Sequence, residues 1–568
     1  MKYHYPLYPS VTKYTDIRHF ISDIPTRFGD KIALSYRPMP HDKEAVRVTY
    51  AAFAEDVRAL GTELLARGMY GKHLALIGGL SYEWVCVYFA ALSCGIVLVP
   101  LDKEWTAEDL SATVSTAECS LLVCDSNIVS KADLICKNNN LPTPIYLTHK
   151  TEEAIATLIA SGKERIAAGD TSFDTVEIDP TKLATLVFTS GTTGQGKGVM
   201  LNQQALLAND YYGLQLITAK GKTLAVLPPH HTFGSTVGLF MILTLGAELY
   251  ISSGLKYVPR ELQNEKPDFL VIVPLFLETF HRRVWASVKE KGKEKLVRRM
   301  MKVSNALRKV GIDLRKKFFG QILSAFGGNV TMAVCGGAPL NPEVANDFDA
   351  FGVAVQNGYG ITECAPLIAV NRNKGYDPTC VGMVIPCDEI KFIDVGEDGE
   401  GEICVKGPNV MMGYWKNEEA TREAIDEDGF FHTGDFGKQD RYGRLFITGR
   451  KKNLIILSNG KNVYPEEIET AIAVTTPGIT DIVVYEGESA RGISYNTVVA
   501  EIHPDFDWCK AQNIPEDLIE AYFHDHVENY NRTAVPYKKI GMVRIRQEAF
   551  PKNTLRKIVR FKINKQIP

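Results

Sequence analysis

Apolar and polar positions along the chain follow two rhythms. From residue 45 to 180, helical stretches alternate with short β-rich runs. Tyr50–Arg67 has helical periodicity and stops at Gly68, His73–Ile77 reads as a strand, Tyr82–Ser93 as a helix, and Ile96–Val99 and Leu121–Cys124 as strands. Leu224–Leu227, Glu248–Ser252, Phe269–Val273 and Met332–Cys335 continue the pattern. Such alternation predicts a largely parallel sheet with helices on both faces. After Gly375 the rhythm changes to short strands (Ile390–Ile393, Glu402–Lys406, Leu445–Ile447) between turns rich in glycine and acid, which predicts a small β subdomain over residues 376–450. From Lys451 onward Pro465–Val474 and Pro515–Glu528 read as helices, and Ile479–Glu486, Thr497–His503 and Gly541–Arg546 as strands. The expected class is α/β: a large N-terminal domain, residues 1–450, of parallel sheets flanked by helices plus the β subdomain, then a small α+β domain, 451–568. The boundary falls near Arg450–Lys452.

Two segments depart from this pattern. Trp84–Leu101 is uncharged and nearly long enough to cross a membrane, but Ser93-Cys94-Gly95 and Pro100 divide it, so it reads as a buried helix, turn and strand. Between Arg282 and Lys317 there are 14 Lys/Arg against 3 Asp/Glu, a local excess of 11 positive charges. Leu296, Met300, Val303, Leu307, Val310, Leu314 and Phe318 recur there at steps of three and four. Helices packed on the body by this stripe, with a solvated outer face, are the favoured reading. The other is a basic surface for anionic lipid, giving peripheral membrane contact, or for the phosphates of a bulky cofactor.

Composition narrows the class further. At 568 residues the chain is too long for one core. A net charge of −3 argues against a nucleic-acid partner bound by bulk charge. The 11 cysteines include no C-x-x-C pair and no Cys/His cluster at zinc spacing, which fits a reducing compartment. Met1–Phe20 lacks the apolar core of a secretory leader. A cytoplasmic location is expected, with membrane-peripheral contact as the variant.

The chemistry centres on Thr189-Ser190-Gly191-Thr192-Thr193-Gly194-Gln195-Gly196-Lys197-Gly198. Glycines let successive N–H groups converge on an anion, and hydroxyls and an ammonium add donors and charge, so the loop suits a polyphosphate. Gly191, Gly196 and Lys197 have Walker spacing, but Gly198 stands where a Walker loop needs Ser or Thr for magnesium, and Val199-Met200-Leu201 reads as a strand. An ordinary P-loop NTPase is excluded. Downstream come Gly336-Gly337-Ala338-Pro339-Leu340, Gly358-Tyr359-Gly360-Ile361-Thr362-Glu363, His432-Thr433-Gly434-Asp435, Gly449-Arg450-Lys451-Lys452-Asn453, Ser458–Glu469 and Pro551-Lys552-Asn553-Thr554-Leu555-Arg556-Lys557-Ile558.

In this order the set resembles the adenylate-forming superfamily of acyl-CoA synthetases, peptide-synthetase adenylation domains and luciferases. The basic segment and Gly407–Trp415 look most like long-chain fatty-acyl-CoA synthetases. The resemblance implies activation of a carboxylate by ATP to acyl-AMP and pyrophosphate, then transfer to a thiol, with a mobile C-terminal domain. It implies that Thr189, Ser190, Gly191, Thr192, Thr193, Gly194 and Lys197 hold the β/γ-phosphates. Glu363 would be the Mg2+ ligand, with Thr362 beside it at the α-phosphate. The adenine would lie between Gly337-Ala338 and Tyr359-Gly360, Asp435 would accept from the ribose hydroxyls, and Arg450 would contact ribose or phosphate. Lys557 would bridge the acid and the α-phosphate, and Lys452 would be the hinge. Acyl-pocket positions are His231, Phe233, Gly336 and Gly358; His231 reads equally well as a gate or as a hydrogen-bonded core histidine. Departures from the family pattern are Gly196 in place of a proline, Asn202-Gln203, Asn453 and Arg556.

Amino-acid-activating relatives carry an aspartate in the region of His230–Ser235, and this chain has none there. An unpaired buried ammonium would be costly, so an aliphatic acid is expected, and the apolar run Val237–Leu243 is consistent with either core or a hydrocarbon tunnel. Coenzyme A is the expected acceptor. The alternatives are an acyl or peptidyl carrier protein loaded by the same chemistry and, from another class, a non-catalytic nucleotide- or acyl-binding regulator.

Overall fold

The computed structural model describes residues 6–8, 11–148, 151, 153–189, 196–396, 399–457, 462–488, 494–552 and 558–567. Two compact units emerge: residues 1–389, 405–431 and 442–444 form one, and 390–404, 432–441 and 445–568 the other. Most strands of the β region beyond residue 389 therefore group with the C-terminal part of the chain, and the junction expected near Arg450–Lys452 lies inside the second unit.

The first unit is built as the alternating pattern predicts. A seven-stranded sheet runs in the order Gly413–Tyr414, Gly198–Asn202, Leu183–Phe188, Val97–Leu101, His73–Ile77, Cys119–Cys124, Ile145–Tyr146. The last five are mutually parallel, while Gly198–Asn202 and Gly413–Tyr414 pair antiparallel at the other side. A second sheet has a parallel centre of Ala354–Gly360, Met332–Cys335, Phe269–Ile272, Lys222–Ala225, Glu248–Ile251 and Ile32–Tyr36. Helix ends follow local chemistry. Thr49 caps Tyr50–Ala66 by accepting from the Ala52 N–H, and Gly68, at φ +71°, ends it. Ser81 likewise caps Tyr82–Ser93, whose residues are buried on every side, from Trp84 to Phe89. That helix, a turn and the strand Val97–Leu101 account for the uncharged run, and among the described residues no helix is long and apolar enough to cross a membrane.

The basic segment forms the helices Pro274–Glu290, Glu294–Arg308 and Arg315–Ser324. The apolar stripe read from the sequence is displaced by one residue. The middle helix buries Val297, Met301 and Ser304, while Met300 and Phe318 pack beside the core and Leu296, Val303 and Val310 face water. Apolar residues occupy more than half of this helix's circumference, so spacing alone left two registers open.

The second unit contains the antiparallel pair Phe431–Gln439 and Arg444–Arg450 and a three-stranded sheet, Ile479–Glu488, Ser494–Pro504 and Met542–Ile545. Helices Pro465–Thr475 and Ile519–Thr533 bury Ile468, Ile472, Phe523 and Val527 against it.

Asp210, inside helix Gln203–Leu216, is buried, and among the described residues its carboxyl group accepts only from Thr244 Oγ1, at 3.2 Å. Burial pushes its pKa up to about 7. A carboxyl raised in the folded state favours folding when protonated, and that contribution is lost as pH climbs from the unfolded value through about 7. Asp210→Asn should therefore gain stability relative to wild type between pH 5 and pH 8, on the order of 2–3 kcal/mol. Parallel thermal midpoints of the two proteins across that range would contradict it.

Candidate functional site

Gly336–Ala338 and Gly358–Glu363 lie at the carboxyl ends of the adjacent parallel strands Met332–Cys335 and Ala354–Gly360, the usual place for ligands in such sheets, and Thr189 lies at the carboxyl end of Leu183–Phe188 in the other sheet. Leu183–Phe188 and Gly198–Asn202 are antiparallel, with Phe188 opposite Gly198, so the glycine-rich stretch is the connection of a hairpin and not the entry to a helix. Thr189 closes it: its N–H donates to the Lys197 carbonyl at 3.1 Å. A Cβ on Gly196 would lie 2.2 Å from the Thr189 carbonyl oxygen, so only glycine fits this close approach. Ser190, Gly191, Thr192, Thr193 and Gly194 lie outside the described residues.

Lys197 reaches from the base of this hairpin over the ring of Tyr414, its Nζ 4.7 Å from the centroid. The Tyr414 hydroxyl donates to Glu363 Oε1 at 2.9 Å. Burial, and then the negative charge of Glu363, push the Tyr414 phenol far above its ordinary pKa, so it remains a donor. One ring thus connects the loop lysine and the predicted metal-binding carboxylate. Strand Gly413–Tyr414 carries it there by pairing with Met200 and Val199, just after the hairpin.

Two buried asparagines fix the backbone around Glu363. The Asn209 amide donates to the Cys364 carbonyl at 2.8 Å while its oxygen accepts from the Leu367 N–H at 2.7 Å. Asn409 donates to the Leu367 carbonyl at 3.1 Å and to Asp388 Oδ2 at 3.1 Å. Burial raises Asp388 to about 7. Met411 N–H also donates to the Glu363 carbonyl at 2.8 Å. Tyr414, Asn209 and Asn409 were not singled out from the sequence. Only the Gly407–Trp415 stretch hinted at two of them, because their roles depend on segments about 40 to 160 residues apart.

Gly336, at the end of Met332–Cys335, lies beside Gly358 and Phe233: a Cβ on Gly336 would sit 3.3 Å from the Gly358 carbonyl oxygen and 3.4 Å from the Phe233 ring. Three of the four positions expected to line an acyl pocket therefore meet. Gly337 has φ +84°, a conformation that favours glycine, and turns the chain into Ala338. Tyr359 and Gly360 pair with Ala369 and Leu367, and Thr362 opens the short turn that holds Glu363.

His231 precedes a π-helical stretch, Phe233–Phe240, with its ring 4.2 Å from that of His230. Wide π-turns recur at functional sites. Burial lowers His230 to about 4, so it is neutral, with Nε2 3.6 Å from Asp102 Oδ2. Asp102, at the end of Val97–Leu101, is a buried carboxylate that the local reading of 230–235 did not find. Of Val237–Leu243, Phe240 is core, edge-on to Phe20 at 4.9 Å.

In the second unit Asp435 and Arg450 face each other across the strand pair, Arg450 Nε 2.8 Å from Asp435 Oδ1. The Asp435 N–H donates to Thr433 Oγ1 at 3.0 Å. Lys452 is exposed in the turn Lys451–Asn453. Lys557 lies outside the described residues. Among the described residues no group of three His, Cys, Asp or Glu could cage a metal. Glu363 alone fits an ion such as Mg2+, which takes one carboxylate and completes its octahedron with phosphate and water.

The first unit thus joins a lysine and a carboxylate through one tyrosine beside a glycine-rich connection between two strands, and the second unit carries an Asp–Arg pair, features that suit a nucleotide-binding enzyme. The family model for AMP-binding enzymes matches residues 22–415, and the chain belongs to that family. It is 28% identical over 489 residues to the long-chain-fatty-acid–CoA ligase 5 of Rattus norvegicus, covering 80% of this chain and 71% of that one. It is 30% identical over 447 residues to the long-chain-fatty-acid–CoA ligase FadD15 of Mycobacterium bovis, covering 74% and 72%. ATP-bound MatB from Rhodopseudomonas palustris shares the fold at TM-score 0.72 and 24% identity over 96% of this chain and 98% of that one. A Mycobacterium tuberculosis fatty acyl CoA synthetase shares it at TM-score 0.64 and 22% identity, with 96% of each chain covered.

Proposed function

We propose that this enzyme activates a fatty acid with ATP to an acyl-adenylate and transfers the acyl group to the thiol of coenzyme A. The observation that carries the reading is the Lys197–Tyr414–Glu363 chain at the base of the glycine-rich hairpin. In the first half-reaction a carboxylate oxygen bonds to the α-phosphorus as the bond to the pyrophosphate oxygen breaks. Two anions must meet, so positioning and charge neutralisation do the catalysis. Thr189–Lys197 grip the departing pyrophosphate, Tyr359 with Gly337-Ala338 takes the adenine, and Asp435 accepts from the ribose hydroxyls. Thr362 faces the α-phosphate and Lys557 bridges it to the acid. Glu363 would hold Mg2+, which when bound neutralises phosphate charge. In the second half-reaction the thiol sulfur bonds to the acyl carbon and AMP leaves, with His231 gating the approach.

A panel of acids assayed for AMP release with coenzyme A tests this reading. Aliphatic acids should be preferred. A preference for amino acids would overturn the acid assignment, with Asp102 the carboxylate to examine first. Release only when a carrier protein replaces coenzyme A would overturn the acceptor, and no release with any acid would favour the regulator.

We further propose that Lys452 is the pivot between half-reactions. Lys452→Pro fixes φ and should slow thioester formation by about tenfold or more while sparing ATP–pyrophosphate exchange. Equal loss in both, or in neither, would place the pivot elsewhere.

A further inference from the structure

Leu296 is 53% exposed, Val303 46%, Val310 72% and Ile312 48%. These four lie within 17 residues, on helix Glu294–Arg308 and the turn after it, whereas the other exposed large apolar side chains among the described residues are spread over the rest of the chain. A seven-residue step returns to nearly the same helical face, drifting by about 20°, so Leu296 and Val303 form a ridge on the helix, and Val310 and Ile312 are exposed after its end. The opposite face is already used, with Val297 and Met301 in the core.

Charge follows the same ridge. Lys295, Arg299 and Lys302 flank it on the helix, Lys309 caps the helix, and Lys316 and Lys317 follow; all six are exposed. Among the described residues none of the six makes an ion pair. The neighbouring Arg308 and Arg315 are neutralised, by Asp349 at 2.6 Å and Asp313 at 2.7 Å, and Arg298 by Glu294 at 3.1 Å. Unpaired positive charge thus lies beside the exposed apolar side chains, and Arg282, Arg283, Lys291 and Lys293 of the same segment are exposed as well. It stands on a chain whose net charge is −3, so it is a local feature.

We propose that the face carrying Leu296, Val303, Val310 and Ile312 docks this enzyme on an anionic lipid surface. The apolar ridge enters the headgroup–acyl boundary and the six cations pair with lipid phosphates and carboxylates. A solvated helix has no use for an exposed apolar ridge, and an acidic protein partner would account for the cations without requiring Val310 and Ile312 at the tip of a turn. The proposal extends the function proposed above, because a fatty acid partitions into such a surface, but the docking itself does not depend on which acid is activated.

Sedimentation of the full chain with phosphatidylcholine vesicles, with and without phosphatidylglycerol, tests it. Binding should require phosphatidylglycerol and weaken with salt. The triple variant Lys295→Glu, Arg299→Glu, Lys302→Glu should bind at least about tenfold more weakly. The apolar variant Leu296→Ser, Val303→Ser, Val310→Ser should bind more weakly at every salt concentration. AMP release from a water-soluble short-chain acid without vesicles should be unchanged in both, which shows that they are folded. Equal binding to neutral vesicles, variants that bind as wild type, or failure of all vesicle binding alongside retention of an acidic carrier protein would each overturn the proposal. Loss of AMP release in the wild-type protein would instead fault the proposed function and leave the vesicle result standing.

Discussion

Lys557→Ala should lower acid-dependent ATP–pyrophosphate exchange by about 10²- to 10³-fold, the scale of losing one group aimed at developing charge. Thioester formation from preformed acyl-AMP should persist, because the carboxylate and the α-phosphate that Lys557 would bring together are already joined in that intermediate. The neighbouring basic residues divide by role. Lys552 Nζ is 2.8 Å from Asp481, and Arg560 is paired with the buried Glu469. Those two hold the small domain together, so Lys552→Ala or Arg560→Ala should reduce thermal stability ahead of exchange. Removing Arg560 would leave the Glu469 carboxylate buried without its cation, which costs several kcal/mol by the order of such pairs. If Lys557→Ala exchanged pyrophosphate at the wild-type rate, the assignment drawn from the Pro551–Ile558 motif would fail.

The alternation of helices and strands was legible because strands buried on both faces are continuously apolar and the helices between them are capped locally, as at Thr49 and Ser81. Sheet order was not legible. Nothing near Ile32–Tyr36 says that it pairs with Glu248–Ile251, more than 200 residues away. That a strand and not a helix follows the glycine loop was legible from Val199-Met200-Leu201, and two of the departures from the family pattern, Gly196 and Asn202-Gln203, now have physical reasons. Gly196 abuts the Thr189 carbonyl, where a proline would force the loop open. Asn202 caps helix Gln203–Leu216 by accepting from the Ala205 N–H at 2.9 Å. The Gln203 side chain, buried, accepts from the Ile17 N–H at 2.8 Å and donates to the Leu92 carbonyl at 2.8 Å. These residues suit a local hydrogen-bonding need.

The supporting residues of the site were the least legible part. Glu363 could be named from its motif, but Asn209, Asn409 and Tyr414 act on it from other segments, and an asparagine within a helix or a tyrosine after a glycine carries no local mark of that role. Asp102 is the same case seen from the acyl side. Its carboxylate reaches His230 only because strand Val97–Leu101 ends beside the loop after Lys222–Ala225. Absence of aspartate from one segment is therefore weaker evidence about the acid than it first reads.

Glu363→Gln should lower exchange by about 10²- to 10³-fold and shift its Mg2+ dependence to higher concentration, since the amide keeps the shape and loses the charge. Tyr414→Phe is the more discriminating variant. It keeps the ring beneath Lys197 and removes only the hydrogen bond to Glu363, a neutral donor on a charged acceptor worth roughly 1.5–3 kcal/mol, so exchange should fall by about tenfold to a hundredfold. Tyr414→Leu also removes the face beneath the Lys197 ammonium and should cost a further few-fold, by the scale of a partly exposed cation–π contact. Because Tyr414 acts through Glu363, the double variant Glu363→Gln, Tyr414→Phe should be little worse than Glu363→Gln alone. Fully additive losses would show that Tyr414 serves the site by another route. Wild-type Mg2+ dependence in Glu363→Gln would remove Glu363 from the metal altogether.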